Sequence, residues 1–307
     1  MDQHTNNNPD TATTRTTKPF AEHSRHWDSF TYVYPVISRR SKGLSIGVNL
    51  NPDTICNFDC VYCQVDKLEP PRPIQVDTSK LREELDAMAE GVATGRIWDH
   101  PQFADIDPTL RRLNDIAFSG DGEPTAAPCF AEAVDIAVDI KKQHKLDGAK
   151  LVLITNATLL DRPGVESALG VLDAHGGEVW AKLDAGTQSY YEKIDRSAVP
   201  LRRVLDNILA CGRRRPIVIQ SMFLRLHNEP VPTEEFDVYC DHLAELIEAD
   251  CGIKLVQLYT VARKPLESYA AALSDETLSE LAQRLRQRLD IVSGGTGTTV
   301  EVFGSNG

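Results

Sequence analysis

The chain has 307 residues, which is about one large domain or two small ones, and a hydrophobic share of 41% allows a sizeable core. Its net charge of −12 argues against a broad phosphate-binding surface of the kind that takes DNA, although a local basic patch is compatible with it. An odd number of cysteines (seven), a polar N-terminus without an apolar stretch and no run near the length of a membrane span point to a reducing cytoplasm, with the sulfurs free or on metal.

Residues 1–25 are rich in Thr, Asn, Asp and His with few apolar side chains to bury, so a disordered tail is expected. His4, His23 and His26 read as solvent-exposed tail and linker residues rather than metal ligands. Residues 26–43 include the aromatic, β-prone run FTYVYPVISRR (Phe30 to Arg40) and are expected to pack as an extension on the N-terminal side of the core. Leu44 to Asn49 (LSIGVN) reads as the first core strand.

That strand delivers the chain to Cys56-Asn57-Phe58-Asp59-Cys60-Val61-Tyr62-Cys63. The C-x3-C-x2-C spacing is tight enough for three thiolates to converge on one metal site, and no fourth cysteine follows nearby. A closed zinc site and a fully protein-held iron–sulfur cluster each want four ligands. Three thiolates on a four-iron cluster would leave one iron open to an outside ligand.

Beyond the loop, Pro70, Pro71 and Pro73 keep the chain extended. Asp77 or Thr78 can cap a helix from Ser79 to about Val92, with Leu81, Leu85, Met88 and Ala89 on one face. Asp115 to Phe118 is the second strand and runs into Ser119-Gly120-Asp121-Gly122-Glu123-Pro124-Thr125. A glycine-rich turn before a helix is common. Here Gly120 and Gly122 also permit close backbone approach to a ligand, and Glu123 could accept bonds from an ammonium group. The pattern then continues: a helix from Cys129 to His144, a strand from Lys150 to Thr155 ending at Asn156, a helix from Pro163 to His175, and a strand from Glu178 to Leu183 flanked by Lys182 and Asp184. Lys182 and Asp184 either pair with each other or contact a bound molecule. Short helices follow at Ser189 to Ile194 and Leu201 to Gly212. The fifth strand, Ile217 to Leu226, carries polar Gln220 and Ser221 in an apolar run, and a buried polar group needs a partner. A helix from Thr233 to Asp250, a strand from Lys254 to Val261, the segment Ala262-Arg263-Lys264-Pro265 and a helix from Ser274 to Leu289 complete the alternation. Thr298 to Phe303 could add an edge strand. About six βα units with right-handed crossovers imply an α/β fold with a parallel sheet, an open (βα)6 TIM-like barrel over 44–290 with a C-terminal extension at 291–307. In such barrels, chemistry sits at the C-terminal ends of the strands.

The cysteine loop, with Tyr62 just before its last cysteine, resembles the signature of the radical S-adenosylmethionine enzymes, and Gly122-Glu123-Pro124 resembles their second motif. The resemblance implies a [4Fe–4S] cluster on Cys56, Cys60 and Cys63 and an open iron chelated by S-adenosylmethionine. The methionine part would lie against Tyr62, Gly120, Gly122 and Glu123, and the nucleoside against Asn156, Gln220 and the sixth-strand segment from Leu258 to Val261. It further implies an electron donor of flavodoxin or ferredoxin type and a hydrogen atom taken from a substrate that could be a small molecule, a peptide or RNA. Lys182, Asp184 and Arg263 are the candidate catalytic residues. The segments SGDGEPT, KLDAGT and LYTVARKP look most like the wyosine-type tRNA-modifying branch. The chain departs from that branch in having no cysteine before Cys56 and no evident flavodoxin-like domain, and in being acidic. Cys129, Cys211, Cys240 and Cys251 are scattered over expected helices and read as buried thiols rather than a second cluster. Two other readings compete: a zinc module completed by a histidine or aspartate, and an electron carrier with a fully ligated cluster, which would need a fourth cysteine. The zinc module does not explain why the glycine–acid and Asn motifs recur at successive strand ends, and no fourth cysteine is near for the carrier.

Overall fold

The structure is a computed structural model that describes residues 27–67, 70, 72–293 and 298–305. The expected tail at 1–25 and its histidines lie outside the described residues, as do Pro71 and short pieces of the expected C-terminal extension.

Eight strands form one sheet. In chain order these are β1 (Val33–Ser38), β2 (Gly43–Val48), β3 (Leu113–Phe118), β4 (Lys150–Thr155), β5 (Glu178–Lys182) and β6 (Ile217–Met222), followed, after the short β7 (Leu224–Leu226), by β8 (Ile253–Tyr259) and, after β9 (Ala270–Ala272), by β10 (Thr299–Phe303). Their spatial order is β1-β2-β3-β4-β5-β6-β8-β10, with β7 and β9 paired separately. From β2 to β10 every neighbour is parallel. The helices α1 (Thr78–Ala93), α2 (Phe130–Gln143), α3 (Pro163–Ala174), α4 (Gln188–Ile194), α5 (Leu201–Gly212), α6 (Thr233–Glu248) and α7 (Asp275–Ser293) fill the crossovers. The result is an open, curled half-barrel flanked by helices, as the alternation of strands and helices implies. No helix among the described residues is long and apolar enough to cross a membrane.

Two features depart from expectation. The aromatic N-terminal run is not merely packed against the core: β1 is an edge strand antiparallel to β2, because only four residues join them and a parallel pair needs a crossover. Glu84 of α1 fixes its start by accepting from the backbone N–H groups of Thr31, Tyr32 and Val33. The expected single strand from Ile217 to Leu226 is also broken at Phe223, whose ring packs 5.1 Å from those of Phe236 and Tyr239 on α6. The strand turns there to bury an aromatic side chain, which is worth about 2–3 kcal/mol.

Alternation along each strand divides the core. Ile46, Ile116, Leu153, Ile219 and Leu258 face the helices. Ala117, Val152, Trp180 and Val218 meet inside the barrel and plug it, with Ile154 and Leu255 packed against them. Asp77 caps α1 by accepting from the N–H groups of Ser79 and Lys80.

Candidate cofactor site at the barrel mouth

The plug leaves a cavity of about 320 Å³ toward the C-terminal ends of the strands, in the size range of small-molecule sites. Cys56, Cys60 and Cys63 all line it, each half-buried. The loop that carries them is docked by backbone bonds. Asp59 N–H and Val61 N–H donate to the carbonyls of Asp195 and Ile194 at the end of α4, and Leu266 N–H donates to the carbonyl of Cys63. Cys56 Sγ accepts from Phe58 N–H at 3.4 Å, Cys63 Sγ accepts from Val65 N–H at 3.5 Å, and the Cys60 thiol donates to Asp195 Oδ1 at 3.4 Å. Burial pushes the Cys56 thiol up to about 11, aided by the negative charge of Glu123 and by Cys63. Burial, then Asp195, raises Cys60 well above the ordinary thiol range.

Among the described residues no three His, Cys, Asp or Glu side chains gather as they would about one metal ion.

The glycine turn after β3 borders the same cavity, and its two glycines are needed for a reason internal to the chain. A Cβ on Gly120 would overlap Asn49 Oδ1, and one on Gly122 would overlap the carbonyl oxygen of Ile55, just ahead of Cys56. What approaches these backbones closely is the lead-in to the cysteine loop. Glu123 is buried, with four donors on its carboxylate. Oε1 accepts from Thr125 N–H (3.1 Å), Thr125 Oγ1 (2.5 Å) and Thr155 Oγ1 (2.6 Å), and Oε2 accepts from Asn156 N–H (2.7 Å). Burial outweighs these bonds and raises its carboxyl above the usual range. Asn156 reaches back to the loop, donating from Nδ2 to Asn57 Oδ1 at 2.7 Å, while Asn57 Nδ2 donates to Thr158 Oγ1.

Lys182 and Asp184 pair with each other at 3.2 Å. Lys182 Nζ donates to Tyr259 Oη at 2.9 Å and lies 4.8 Å from the centroid of the Tyr62 ring. Asp184, fully buried, accepts from Met222 N–H and from the Tyr62 hydroxyl. Burial would lower the Lys182 ammonium, but Asp184, Tyr259 and Cys60 outweigh it and hold the group well above its ordinary value. Gln220, also fully buried, lines the cavity, donates from Nε2 to Gln257 Oε1, and its own Oε1 has no donor among the described residues. Val261 borders the cavity, and Arg263 lies there with its guanidinium donating to Gln64 Oε1. Leu258 does not: it belongs to the helix-facing core, and its neighbour Tyr259 is the residue that points inward. The sequence reading passed over Asn57 and Asp195, and took Tyr259 only as part of the segment Leu258 to Val261. Strand alternation alone would have selected Tyr259 over Leu258, whereas nothing local distinguishes Asp195.

Fold and site together define an open parallel α/β barrel whose thiol-bearing mouth is shaped to receive a ligand. The family model described as the Radical SAM superfamily matches residues 50–231, more than half of the chain, and the chain belongs to that superfamily. A UPF0026 protein of Synechocystis is 28% identical over 186 residues, which cover 59% of this chain and 59% of the relative. The chain therefore spans about three fifths of that relative's length. Among solved structures, SuiB of Streptococcus suis bound to S-adenosylmethionine superposes with a TM-score of 0.54 at 11% identity, covering 87% of this chain and 52% of SuiB. TYW1 with a lysine–pyruvate adduct bound superposes with a TM-score of 0.50 at 17% identity, covering 80% of this chain and 74% of TYW1. At these identities the likeness is one of fold.

Proposed function

We propose that Cys56, Cys60 and Cys63 hold a [4Fe–4S] cluster with one iron left for S-adenosylmethionine. The observation that carries this is the sharing of one cavity by the three thiols, the Glu123 carboxylate and the donorless Gln220 Oε1, in a chain of this superfamily. When bound, cluster and S-adenosylmethionine would supply a 5′-deoxyadenosyl radical that takes a hydrogen atom from the substrate, driven by an electron donor of flavodoxin or ferredoxin type. The chain's own residues bind, orient and shield. Glu123 Oε2 accepts a single bond and keeps a lone pair for an ammonium group. Gln220 Oε1 offers an acceptor to a hydroxyl or amino group. Val61, Tyr62, Met222, Tyr259 and Val261 form a small apolar cluster that excludes water on one side. Asp184 accepts from the Tyr62 hydroxyl and Lys182 lies over the Tyr62 ring, which ties the cysteine loop to the end of β5.

Wyosine-type modification of tRNA is the second reading, favoured by the segments SGDGEPT, KLDAGT and LYTVARKP and by the TYW1 fold. The TYW1 structure has a lysine–pyruvate adduct bound. An amine that condenses with a carbonyl must be neutral, whereas Lys182 is clamped as a cation by Asp184. A pyruvate adduct on Lys182 is therefore disfavoured, and the first reading, with a small molecule, a peptide or RNA as substrate, stands ahead. Anaerobic reconstitution tests it: about four irons and four sulfides per chain, and 5′-deoxyadenosine on adding dithionite and S-adenosylmethionine, are expected. A colourless protein with one zinc would refute it.

A further inference from the structure

The barrel interior holds one cation that the chemistry above leaves unused. Arg40 follows β1 and lines the mouth cavity and also a second cavity, of about 590 Å³, on the other side of the plug. Its guanidinium carbon lies 5.1 Å from the centroid of the Tyr259 ring. Among the described residues it has neither a hydrogen-bond acceptor nor an ion-pair partner. The other cations of the mouth cavity are engaged: Arg39 with the carbonyl of Gly304, Lys67 with Asp59, Lys182 with Asp184, and Arg263 with Gln64.

Arg40 is half-buried, so its guanidinium has N–H donors to offer to a molecule that enters the cavity. The acid nearest to it in kind, Asp115, also lines both cavities but accepts from Ser45 Oγ and makes no ion pair with Arg40. Burial, the largest influence on Asp115, raises its carboxyl, while Ser45, Ser41 and the charge of Arg40 pull it the other way. Tyr259 meanwhile carries two cations, Arg40 at 5.1 Å and Lys182 Nζ at 5.5 Å from its centroid, and its hydroxyl accepts from Lys182, leaving its own proton to donate. Lys182 is already matched by Asp184, which leaves the Arg40 guanidinium and the Tyr259 hydroxyl donor side by side as a local site for an anion in a chain of net charge −12. Arginine's planar fork matches the paired oxygens of a carboxylate or phosphate.

We propose that the barrel interior takes an anionic substrate whose carboxylate or phosphate is anchored by Arg40 beside Tyr259. This rests on the reading above and names the class of substrate that the same cavity would accept.

Calorimetric titration of the full chain with inorganic phosphate and, separately, with succinate tests the proposal and separates the two anion types. One of them is expected to bind one per chain, with Arg40→Gln weakening it about tenfold or more and Arg40→Lys restoring part of the loss. Arg82→Gln, which removes an exposed pair with Asp139, is expected to leave binding unchanged. Binding of neither anion by the natural chain, or equal binding by Arg40→Gln, overturns the proposal. So does an equal loss of S-adenosylmethionine affinity in Arg40→Gln, which would assign the arginine to the cofactor. A chain that binds the anion through Arg40 but never cleaves S-adenosylmethionine upholds the anion site and refutes the radical chemistry. Cleavage without anion binding does the reverse.

Discussion

Glu123 offers the sharpest test, because two effects of known sign compete on one buried carboxylate. Four donors favour the ionised form, and burial disfavours it. Burial wins, so the folded-state value lies above the unfolded one, near 4.5. A carboxyl raised in this way contributes stability that is fully present below the unfolded value and is lost as pH rises through the folded value. In Glu123→Gln one amide oxygen can still serve the Thr125 and Thr155 donors, but the amide nitrogen then faces Asn156 N–H. Leaving that N–H buried without an acceptor costs about 1–3 kcal/mol, or very roughly 2–12 °C in Tm. The glutamine does not titrate. The stability gap between the natural chain and Glu123→Gln is therefore expected to be largest near pH 4.5 and to narrow as pH rises. Urea unfolding of both chains between pH 4.5 and 8 measures it. A gap that widens with pH would mean that the four donors outweigh burial, and the reasoning would be wrong.

Cys60→Ala is expected to abolish iron retention on anaerobic reconstitution while Cys129→Ala retains it; equal iron in both would unseat the ligand assignment. Gly122→Ala drives a methyl into the Ile55 carbonyl, so a loss of about 1–3 kcal/mol and lower iron loading are expected, whereas Gly91→Ala in α1, with nothing near its Cβ, is expected to be neutral or stabilising by up to about 1 kcal/mol. Glu84→Ala leaves three backbone N–H groups without their acceptor and is expected to cost about 2–4 kcal/mol and to open β1 to limited proteolysis; an unchanged digestion pattern would count against the pinning of that strand. Lys182→Met strands Asp184 in the interior and is expected to cost about 3–5 kcal/mol in urea unfolding, so a loss below about 1 kcal/mol would mean that the pair is better solvated than its geometry implies.

Periodicity made most of the fold legible. Each crossover strand of the barrel is a short apolar run closed by turn residues, and each helix shows a one-sided stripe, as in Leu81, Leu85, Met88 and Ala89 of α1. What periodicity could not reach was pairing direction and interruption. The β1 run looked like a strand but carried no sign of its partner, which the four-residue link to β2 decides. The break at Phe223 is a tertiary effect, set by two rings of α6 that lie more than ten residues away. The cysteines were legible because their spacing is itself the signal. Asp195 was not, because it reaches Cys60 across 135 residues of chain.

The placement of Leu258 and Tyr259 shows where the sequence held more than was taken from it. Trp180 and Lys182 share the inner face of β5, and the register pairs Lys182 with Gln220 and Gln220 with Gln257. Side chains alternate along a strand, so with Gln257 turned inward, Tyr259 must follow it and Leu258 must face the helices. The inner face then reads, across neighbouring strands, as lysine, glutamine, glutamine and tyrosine. The lysine is matched by Asp184 and the glutamines by each other, except at Gln220 Oε1. The tyrosine is met from across the barrel by an arginine that the β1 edge strand supplies. A polar inner face completed from two well-separated strands of one sheet needs both in place. β1, which brings Arg40, and β8, which brings Tyr259, thus belong to the site as much as the cysteine loop does.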